Sequence, residues 1–239
     1  MHPLQHPYQV YPLGDAAVTI DFGNRIEEPI NREVIARFIQ LQRQPPHYIR
    51  EVVPAYCSLT ICFDIAAVKK LSGSTTVTDW IKKELESLLA FPVLSLDDAS
   101  SFIRIPVCYE KEYAPDLQRV AIARKLSIEE VIHIHTSVTY RVYMLGFLPG
   151  FAYMGQTDER IAVPRKPQPV QVVNGSVGLA GRQTGIYPLD SPGGWQIIGR
   201  SPVRLFNTDE GRPVLLKAGD NVQFYSINKN EFKQLSSGV

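Results

Sequence analysis

The amino-acid sequence predicts an α+β protein of two domains, and three observations support this prediction. The length of 239 residues permits one large domain or two of roughly 100 to 140 residues. Helix and strand patterns alternate over the first hundred residues. Twelve of the sixteen glycines lie between Gly146 and Gly219, where short β-like runs alternate with turn residues. This change in glycine usage separates an N-terminal α+β domain from a C-terminal β-rich domain.

The first domain combines strands and helices in a recognisable order. Its predicted elements, within residues 1–95, are two short strands in 8–23, a helix in 30–44, strands in 49–56 and 58–65, and a helix over 78–89. Val34, Ile35 and Phe38 keep helical spacing in the first helix, as Ile81 and Leu85 do in the second. Strand, helix, strand, strand, helix, with a further strand near either end, matches the split βαβ arrangement of a ferredoxin-like domain.

The second domain begins with mixed elements and continues as short strands. A polar linker at 95–101 leads to a domain at 102–239, with a strand at 102–109, a helix in 114–127, a second helix from 127 and a strand at 139–147. Ser127 and Glu130 form a capping box that begins the second helix. Turn sequences such as NGS at 174, AGR at 180 and SPGG at 191 then separate short β-like runs. Regular short strands of this kind predict a barrel or a sandwich.

Composition excludes several classes of function. The formal net charge is +1, the sequence pI is about 7.7 and the basic residues are scattered, which argues against binding nucleic acid. No apolar run reaches the length of a membrane span, and the first residues lack the pattern of a secretory signal. The three cysteines, Cys57, Cys62 and Cys108, are odd in number and form no CxxC pair. We therefore expect reduced thiols in a cytoplasmic protein.

Familiar catalytic and metal-binding patterns are missing from the sequence. No nucleotide-binding glycine motif and no GxSxG nucleophile elbow occurs, so the glycines of NGSVGLAG are interpreted as turn residues. His133 and His135 are two residues apart, which places them on different sides of a helix. We therefore expect no metal, and the sequence identifies no catalytic acid, base or nucleophile.

Four segments between residues 146 and 202 stand out because each joins glycine or proline to an aromatic ring or a guanidinium. They are GFLPGFAYMG, VPRKPQP, GSVGLAGRQTGIYP and DSPGGWQIIGRSP. Their arginines, Arg165, Arg182 and Arg200, are suited to hold a carboxylate or carbamoyl-like group. The alternative is that glycine and proline shape barrel corners and the aromatic residues fill them. For the set of four segments we favour a binding site.

These segments, together with LKAGDNVQF (216–224), LGDAAVTIDFG and PAYCSLTICFD, resemble the allophanate hydrolase subunit 1 family over essentially the whole chain. One departure is Val173-Asn174, where the family usually has Pro-Ala. The resemblance implies a ferredoxin-like N-terminal domain and a cyclophilin-like C-terminal β-barrel.

The resemblance also implies two alternative activities. In the first, the chain is the B-type component of a 5-oxoprolinase, joined to a larger C-type subunit and an A-type subunit. Such a complex hydrolyses 5-oxoproline to glutamate, and ATP is bound by the assembled complex rather than by this chain alone. In the second, the chain inhibits the autophosphorylation of a sensor histidine kinase.

Specific residues follow from these observations as expectations. The predicted substrate-binding residues are Phe151, Tyr153, Tyr187 and Trp195 as apolar walls, with Arg165, Arg182 and Gln183 as polar contacts. The predicted interface residues are Phe147, Pro149, His135 and Arg200. Pro149 and Gly150 should turn the chain, so that Phe151 and Tyr153 project away from the preceding strand.

Overall fold

The computed structural model describes residues 7–90, 100–209, 211 and 213–237. The chain divides into two compact units, one within residues 1–99 and one within 100–239. Residues 1–6, where the sequence lacks a secretory pattern, and residues 95–99 of the predicted linker lie outside the described part. Among the described helices none is long and apolar enough to cross a membrane. All three cysteines are unpaired, as predicted.

The N-terminal unit is one antiparallel sheet with helices. Its elements are β1 (Gln9–Pro12), β2 (Ala17–Asp21), α1 (Glu28–Arg43), β3 (Ile49–Pro54), β4 (Ser58–Phe63), α2 (Ile65–Ser72) and α3 (Val77–Ala90). The strand order is β1-β2-β4-β3, with every pairing antiparallel. Val34 of α1, Ile61 of β4 and Leu85 of α3 share one buried apolar core. The strands and both predicted helices are confirmed, while the ferredoxin-like assignment stays a prediction.

Helix α2 was missed because Asp64 alone separates its apolar residues from those of β4. Asp64, assigned to the strand run, instead caps the helix: its carboxylate accepts a hydrogen bond of 2.9 Å from the N–H of Ala67. An aspartate three residues before such a donor is a sequence signal for a helix start. Its apolar neighbours on both sides concealed that signal.

The C-terminal unit is built around a closed barrel. Its elements are β5 (Phe102–Cys108), α4 (Leu117–Arg124), α5 (Ile128–Ser137), β6 (Thr139–Leu145), β7 (Ala152–Gly155), a 3-10 helix (Glu159–Ile161), β8 (Val170–Val172), β9 (Ser176–Ala180), β10 (Gln183–Ile186), β11 (Ser191–Gly193), β12 (Gln196–Arg200), β13 (Asn221–Ile227) and α6 (Lys229–Ser237). Seven strands close in the order β10-β7-β6-β13-β5-β12-β9, and β8 pairs with β11 as a separate ribbon. A barrel, rather than a sandwich, is therefore confirmed.

Local signals account for the helices of this unit. The predicted capping box is present: Ser127 Oγ accepts from the N–H of Glu130 at 3.1 Å, and Glu130 Oε2 accepts from the N–H of Ser127 at 2.7 Å. The short strands predicted for this domain do not continue after β13, because α6 follows it. The same reciprocal cap starts it, since Asn228 accepts from the N–H of Glu231 and Glu231 accepts from the N–H of Asn228.

A neutral histidine lies inside the barrel. His135 of α5 has no exposed surface and its ring stacks on Phe224, with centroids 4.7 Å apart. Its Nδ1 lies 2.7 Å from the hydroxyl of Tyr109, and its Nε2 lies 2.9 Å from the hydroxyl of Thr184. Thr184 donates its own proton to the carbonyl of Gly178, at 3.1 Å. His135 Nε2 must therefore carry the proton, and Nδ1 accepts from Tyr109.

This placement corrects the expectation that His135 lies at a subunit interface. Its side chain is enclosed by its own barrel and offers no surface to a partner. Burial lowers the pKa of His135 to about 3, because the imidazolium form would lose its hydration inside the barrel. The folded chain therefore binds fewer protons at this residue than the unfolded chain does between about pH 3 and about pH 6.5.

We expect the barrel to lose stability as the pH falls below about 6.5, by up to about 1.4 kcal/mol per pH unit from this residue. The measurement is denaturant unfolding between pH 7.5 and pH 5, followed by Trp195 fluorescence in a Trp80→Phe background. His135→Gln should reduce the pH dependence, whereas His133→Gln, at an exposed position of the same helix, should retain it. An unchanged pH dependence in His135→Gln contradicts the assignment of this loss of stability to His135.

Candidate functional site

One wall of the barrel presents different residues on its two faces. Along β9 and β10, Val177, Leu179 and Ile186 belong to the main barrel core, and side chains alternate between the faces of a strand. Gly178 and Gly185 are register partners and therefore lie together on the outer face. The outer face of this wall consequently has no side chains at its centre.

Aromatic rings fill the space above these two glycines. A β-carbon at Gly178 would lie 2.9 Å from Cβ of Trp195. A β-carbon at Gly185 would lie 2.9 Å from the carbonyl oxygen of Ala152 and 3.2 Å from the rings of Phe151 and Trp195. The glycines thus let Trp195 and Phe151 rest directly on the barrel backbone. Gly175 and Gly181 are turn residues with positive φ, as predicted. The same interpretation is wrong for Gly178, which lies within β9.

We call Phe147, Phe151, Tyr153, Tyr187 and Trp195 the aromatic cluster. Phe151 is its centre, with ring centroids 4.7 Å from Tyr153, 5.1 Å from Tyr187 and 5.4 Å from Trp195. Phe151, Tyr187 and Trp195 are buried, Tyr153 is half-buried, and Phe147 is 61% exposed. The rings therefore pack against one another. This agrees with the alternative stated from the sequence, in which aromatic residues fill the corners of the barrel. Their substrate-binding role stays a prediction, and only Phe147 and Tyr153 offer surface to another molecule.

The connection between β6 and β7 presents Phe147 to solvent. Phe147 adopts a positive φ of 68°, which is uncommon for a residue with a side chain. Its ring lies edge-on against Phe151, at 5.8 Å. Pro149 is exposed, and Gly150 turns the chain at φ 83° before Phe151 enters the cluster. The predicted turn at Pro149-Gly150 is confirmed, and the interface role of Phe147 and Pro149 stays a prediction.

Arg165 lies beside the aromatic cluster. Its guanidinium carbon is 5.9 Å from the ring centre of Trp195, a cation–π distance. Burial raises the pKa of Tyr153, and the positive charge of Arg165 opposes that rise. Burial likewise raises the pKa of Tyr187, again opposed by Arg165. The structure thus brings five of the seven predicted substrate-binding residues, the four rings and Arg165, into one group.

The chain on either side of Arg165 is firmly held. The carbonyl of Pro164 accepts from Nε2 of Gln196 at 3.0 Å, and the N–H of Lys166 donates to the carbonyl of Gly194 at 2.6 Å. Lys166 Nζ also lies 2.6 Å from Asp116 Oδ2, and about 12% of each side chain is exposed. Sequence analysis missed this ion pair because its residues are fifty positions apart and share no local pattern. These hydrogen bonds hold the backbone on both sides of Arg165 and so determine the direction in which its side chain projects.

Arg182 and Gln183 lie at the rim of the same wall. Arg182 is exposed in the turn after β9, and its Nε donates to the carbonyl of Thr157 at 3.4 Å. Gln183 begins β10 opposite Gly155 and is half-buried. Arg160 lowers the pKa of nearby Asp158 to about 2, and the charge of Arg182 contributes to that shift. Arg182 is therefore close enough to Asp158 for its charge to act on that carboxylate.

Arg200 belongs to a different region. It pairs with Ser176 at the first residue of β9, whereas Arg182 follows the last residue of that strand. The two arginines are therefore separated by the length of β9, about 13 Å at roughly 3.3 Å per residue. The expectation that Arg165, Arg182 and Arg200 hold one group together is not met for Arg200. Within the described residues, no group of three or more His, Cys, Asp or Glu side chains is placed to hold a metal ion.

Comparison with known proteins agrees with this architecture. Residues 8–216 match the model of the carboxyltransferase domain, subdomain C and D, and the chain belongs to this family. It is 44% identical to the B subunit of 5-oxoprolinase from Bacillus subtilis (strain 168), over 94% of this chain and 95% of that protein. The family resemblance stated from the sequence is therefore confirmed.

Solved structures share the fold. The crystal structure of TTHA0988 is 34% identical with a TM-score of 0.76, covering 89% of this chain but 40% of that one. The present chain thus spans less than half the length of TTHA0988. The Kluyveromyces lactis urea amidolyase shares the fold at 20% identity, with a TM-score of 0.71 over 95% of this chain and 15% of its own.

Gly185→Ala should displace Phe151 and Trp195, because the new methyl group would overlap Ala152 and both rings. We expect a loss of unfolding free energy of about 1–3 kcal/mol and a red-shifted Trp195 emission in a Trp80→Phe background. Gly211→Ala is the control, since a β-carbon there meets no neighbour within 4 Å. Equal stability and equal emission in the two variants would show that the rings do not rest on this wall.

Proposed function

We propose that this chain is the B subunit of a 5-oxoprolinase complex, which hydrolyses 5-oxoproline to glutamate at the expense of ATP. The observation that carries the proposal is the 44% identity to the Bacillus subtilis B subunit, over nearly the full length of both chains. The 5-oxoprolinase B subunit of Escherichia coli O157:H7 is also 35% identical over 90% of this chain. Similarity that covers both units supports the function of the whole chain.

In this proposal the aromatic cluster and Arg165 form one side of a pocket that a larger partner, the C-type subunit, completes. Exposed Phe147 and half-buried Tyr153 supply aromatic surface, and Arg165 supplies a cation above a buried ring system. A guanidinium beside apolar rings suits 5-oxoproline, which joins a carboxylate to a small lactam ring. The sequence contains no phosphate-binding motif, which is consistent with ATP bound elsewhere in the complex, including its A-type subunit.

The occurrence of the same fold within longer chains supports a larger partner. The matched region makes up 40% of TTHA0988 and 15% of the Kluyveromyces lactis urea amidolyase. Additional protein is thus joined covalently to this fold in both. In the present case we propose that a separate subunit occupies that position, against the exposed edge of the aromatic cluster around Phe147.

Arg165→Ala should lower the kcat/KM of a reconstituted complex for 5-oxoproline by at least about tenfold, because the substrate carboxylate loses a charge-assisted hydrogen bond. Co-purification of the three subunits checks that assembly is intact. Arg119→Ala, at an exposed position of α4, is the matched control and should keep full activity. Full turnover by Arg165→Ala removes this residue from the pocket. Failure of the unaltered chain to bind the other subunits contradicts the proposed function itself.

The sequence also left open inhibition of a sensor histidine kinase, which would need an exposed apolar surface. Phe147, 61% exposed and held against Phe151, provides such a surface for either partner. Adding the purified chain to a sensor histidine kinase and measuring autophosphorylation separates the two functions. Undiminished autophosphorylation, together with turnover by the reconstituted complex, favours the enzyme subunit.

A further inference from the structure

Two adjoining cavities lie on the outside of the barrel, and no residue of the aromatic cluster lines either of them. The larger has a volume of about 450 Å³ and the smaller about 160 Å³. Pro202, Val203 and Arg204 line both of them. The two cavities therefore adjoin each other, and we call them together the two-chamber cleft.

The larger chamber is mainly apolar. Its floor is formed by Pro106 of β5 and Tyr225 of β13, which are register partners in the parallel pair. Their neighbours Ile105 and Phe224 belong to the barrel core, so Pro106 and Tyr225 face outward. The walls are formed by Val203, Leu205, Leu215 and, from α6, Leu235. A concave apolar chamber of this size falls in the usual range for small-molecule sites.

The smaller chamber is polar and positively charged. Arg200 and Arg204 line it together with Asn174, Ser201 and Ser236. Arg200 is fixed in position, because its Nε donates to the carbonyl of Asn174 at 2.8 Å and its guanidinium carbon lies 5.9 Å from the ring centre of Phe232. None of the described residues that line either chamber is acidic. Two guanidiniums that share a small polar chamber favour an anionic group.

We propose that the two-chamber cleft binds an organic anion with an apolar body. A carboxylate or phosphate group enters the smaller chamber between Arg200 and Arg204, and the apolar part lies in the larger chamber against Tyr225 and the leucines. Arg204 lines both chambers and so links the two halves of the ligand. This site goes beyond the proposed 5-oxoprolinase function, because 5-oxoproline has no apolar body that would occupy the larger chamber.

The probe for a direct test is 8-anilinonaphthalene-1-sulfonate, an apolar anion whose fluorescence increases when it leaves water. We expect saturable binding at one site on the full chain under native conditions. N-phenyl-1-naphthylamine has the same rings without the sulfonate and should bind at least about tenfold more weakly, since it makes no charge-assisted hydrogen bond. Competition by octanoate and by octyl phosphate distinguishes a carboxylate site from a phosphate site.

Two substitutions test the two chambers separately. Arg204→Gln should weaken binding of the sulfonate probe by about tenfold while leaving that of N-phenyl-1-naphthylamine unchanged. Leu235→Glu should weaken both, because it places a carboxylate at the apolar wall. The controls are Arg119→Gln and Leu71→Glu; Leu71 and Leu235 are each 44% exposed.

The proposal is overturned if the unaltered chain shows no saturable binding, or if the probe binds equally well with and without its sulfonate. It is also overturned if Leu235→Glu binds the probe as tightly as the unaltered chain and the control Leu71→Glu do. Because Leu235 is exposed on the terminal helix, this variant keeps the test decisive even if Arg204→Gln does not fold.

Discussion

The candidate site depends on the close approach of aromatic rings to a barrel wall without side chains. Gly178 and Gly185 leave the outer face of β9 and β10 bare, and the ring of Trp195 and that of Phe151 occupy the space. A single methyl group at Gly185 would overlap both rings and a carbonyl oxygen. Arg165 is held beside this contact, because the backbone on either side of it bonds Gly194 and Gln196, which flank Trp195. The absence of side chains at the centre of this outer face therefore determines where the aromatic rings lie.

The inner face of the same wall is fixed by hydrogen bonds. Thr184 directly precedes Gly185 on β10 and is the register partner of Leu179. Its hydroxyl accepts from His135 and donates to the carbonyl of Gly178. Tyr109, the residue after β5, completes the network, because its hydroxyl donates to Nδ1 of His135. A buried polar network that is fully satisfied rigidifies its surroundings. The backbone that supports Trp195 is thus held from the inside by the residue pair His135 and Thr184, and this explains the burial of a histidine that touches no surface.

Sequence reasoning predicted what local patterns encode and missed what distant residues build. The helical spacing of Val34, Ile35 and Phe38 identified α1, and Ser127 with Glu130 located the start of α5. No local pattern indicates that His135 would bond Thr184, forty-nine positions away. The aromatic residues were correctly grouped, but a pattern of types cannot distinguish rings that line a pocket from rings that fill it. Here the rings fill space because Gly178 and Gly185 let Trp195 and Phe151 pack directly on the backbone of the barrel.

Strand β12 connects the two regions of the barrel to which we assign ligands. Trp195 directly precedes it and belongs to the aromatic cluster, whereas Arg200 ends it and lines the two-chamber cleft. About 16 Å of extended chain separates these residues, at roughly 3.3 Å per residue. Substitutions more than about 10 Å apart usually act additively when they share no partner. Arg165 contacts Trp195 and Arg200 contacts Asn174 and Phe232, so the two sites have separate sets of contacts. The cleft can therefore be altered without changing the chemistry of the aromatic cluster, which allows each site to be assigned by its own measurement.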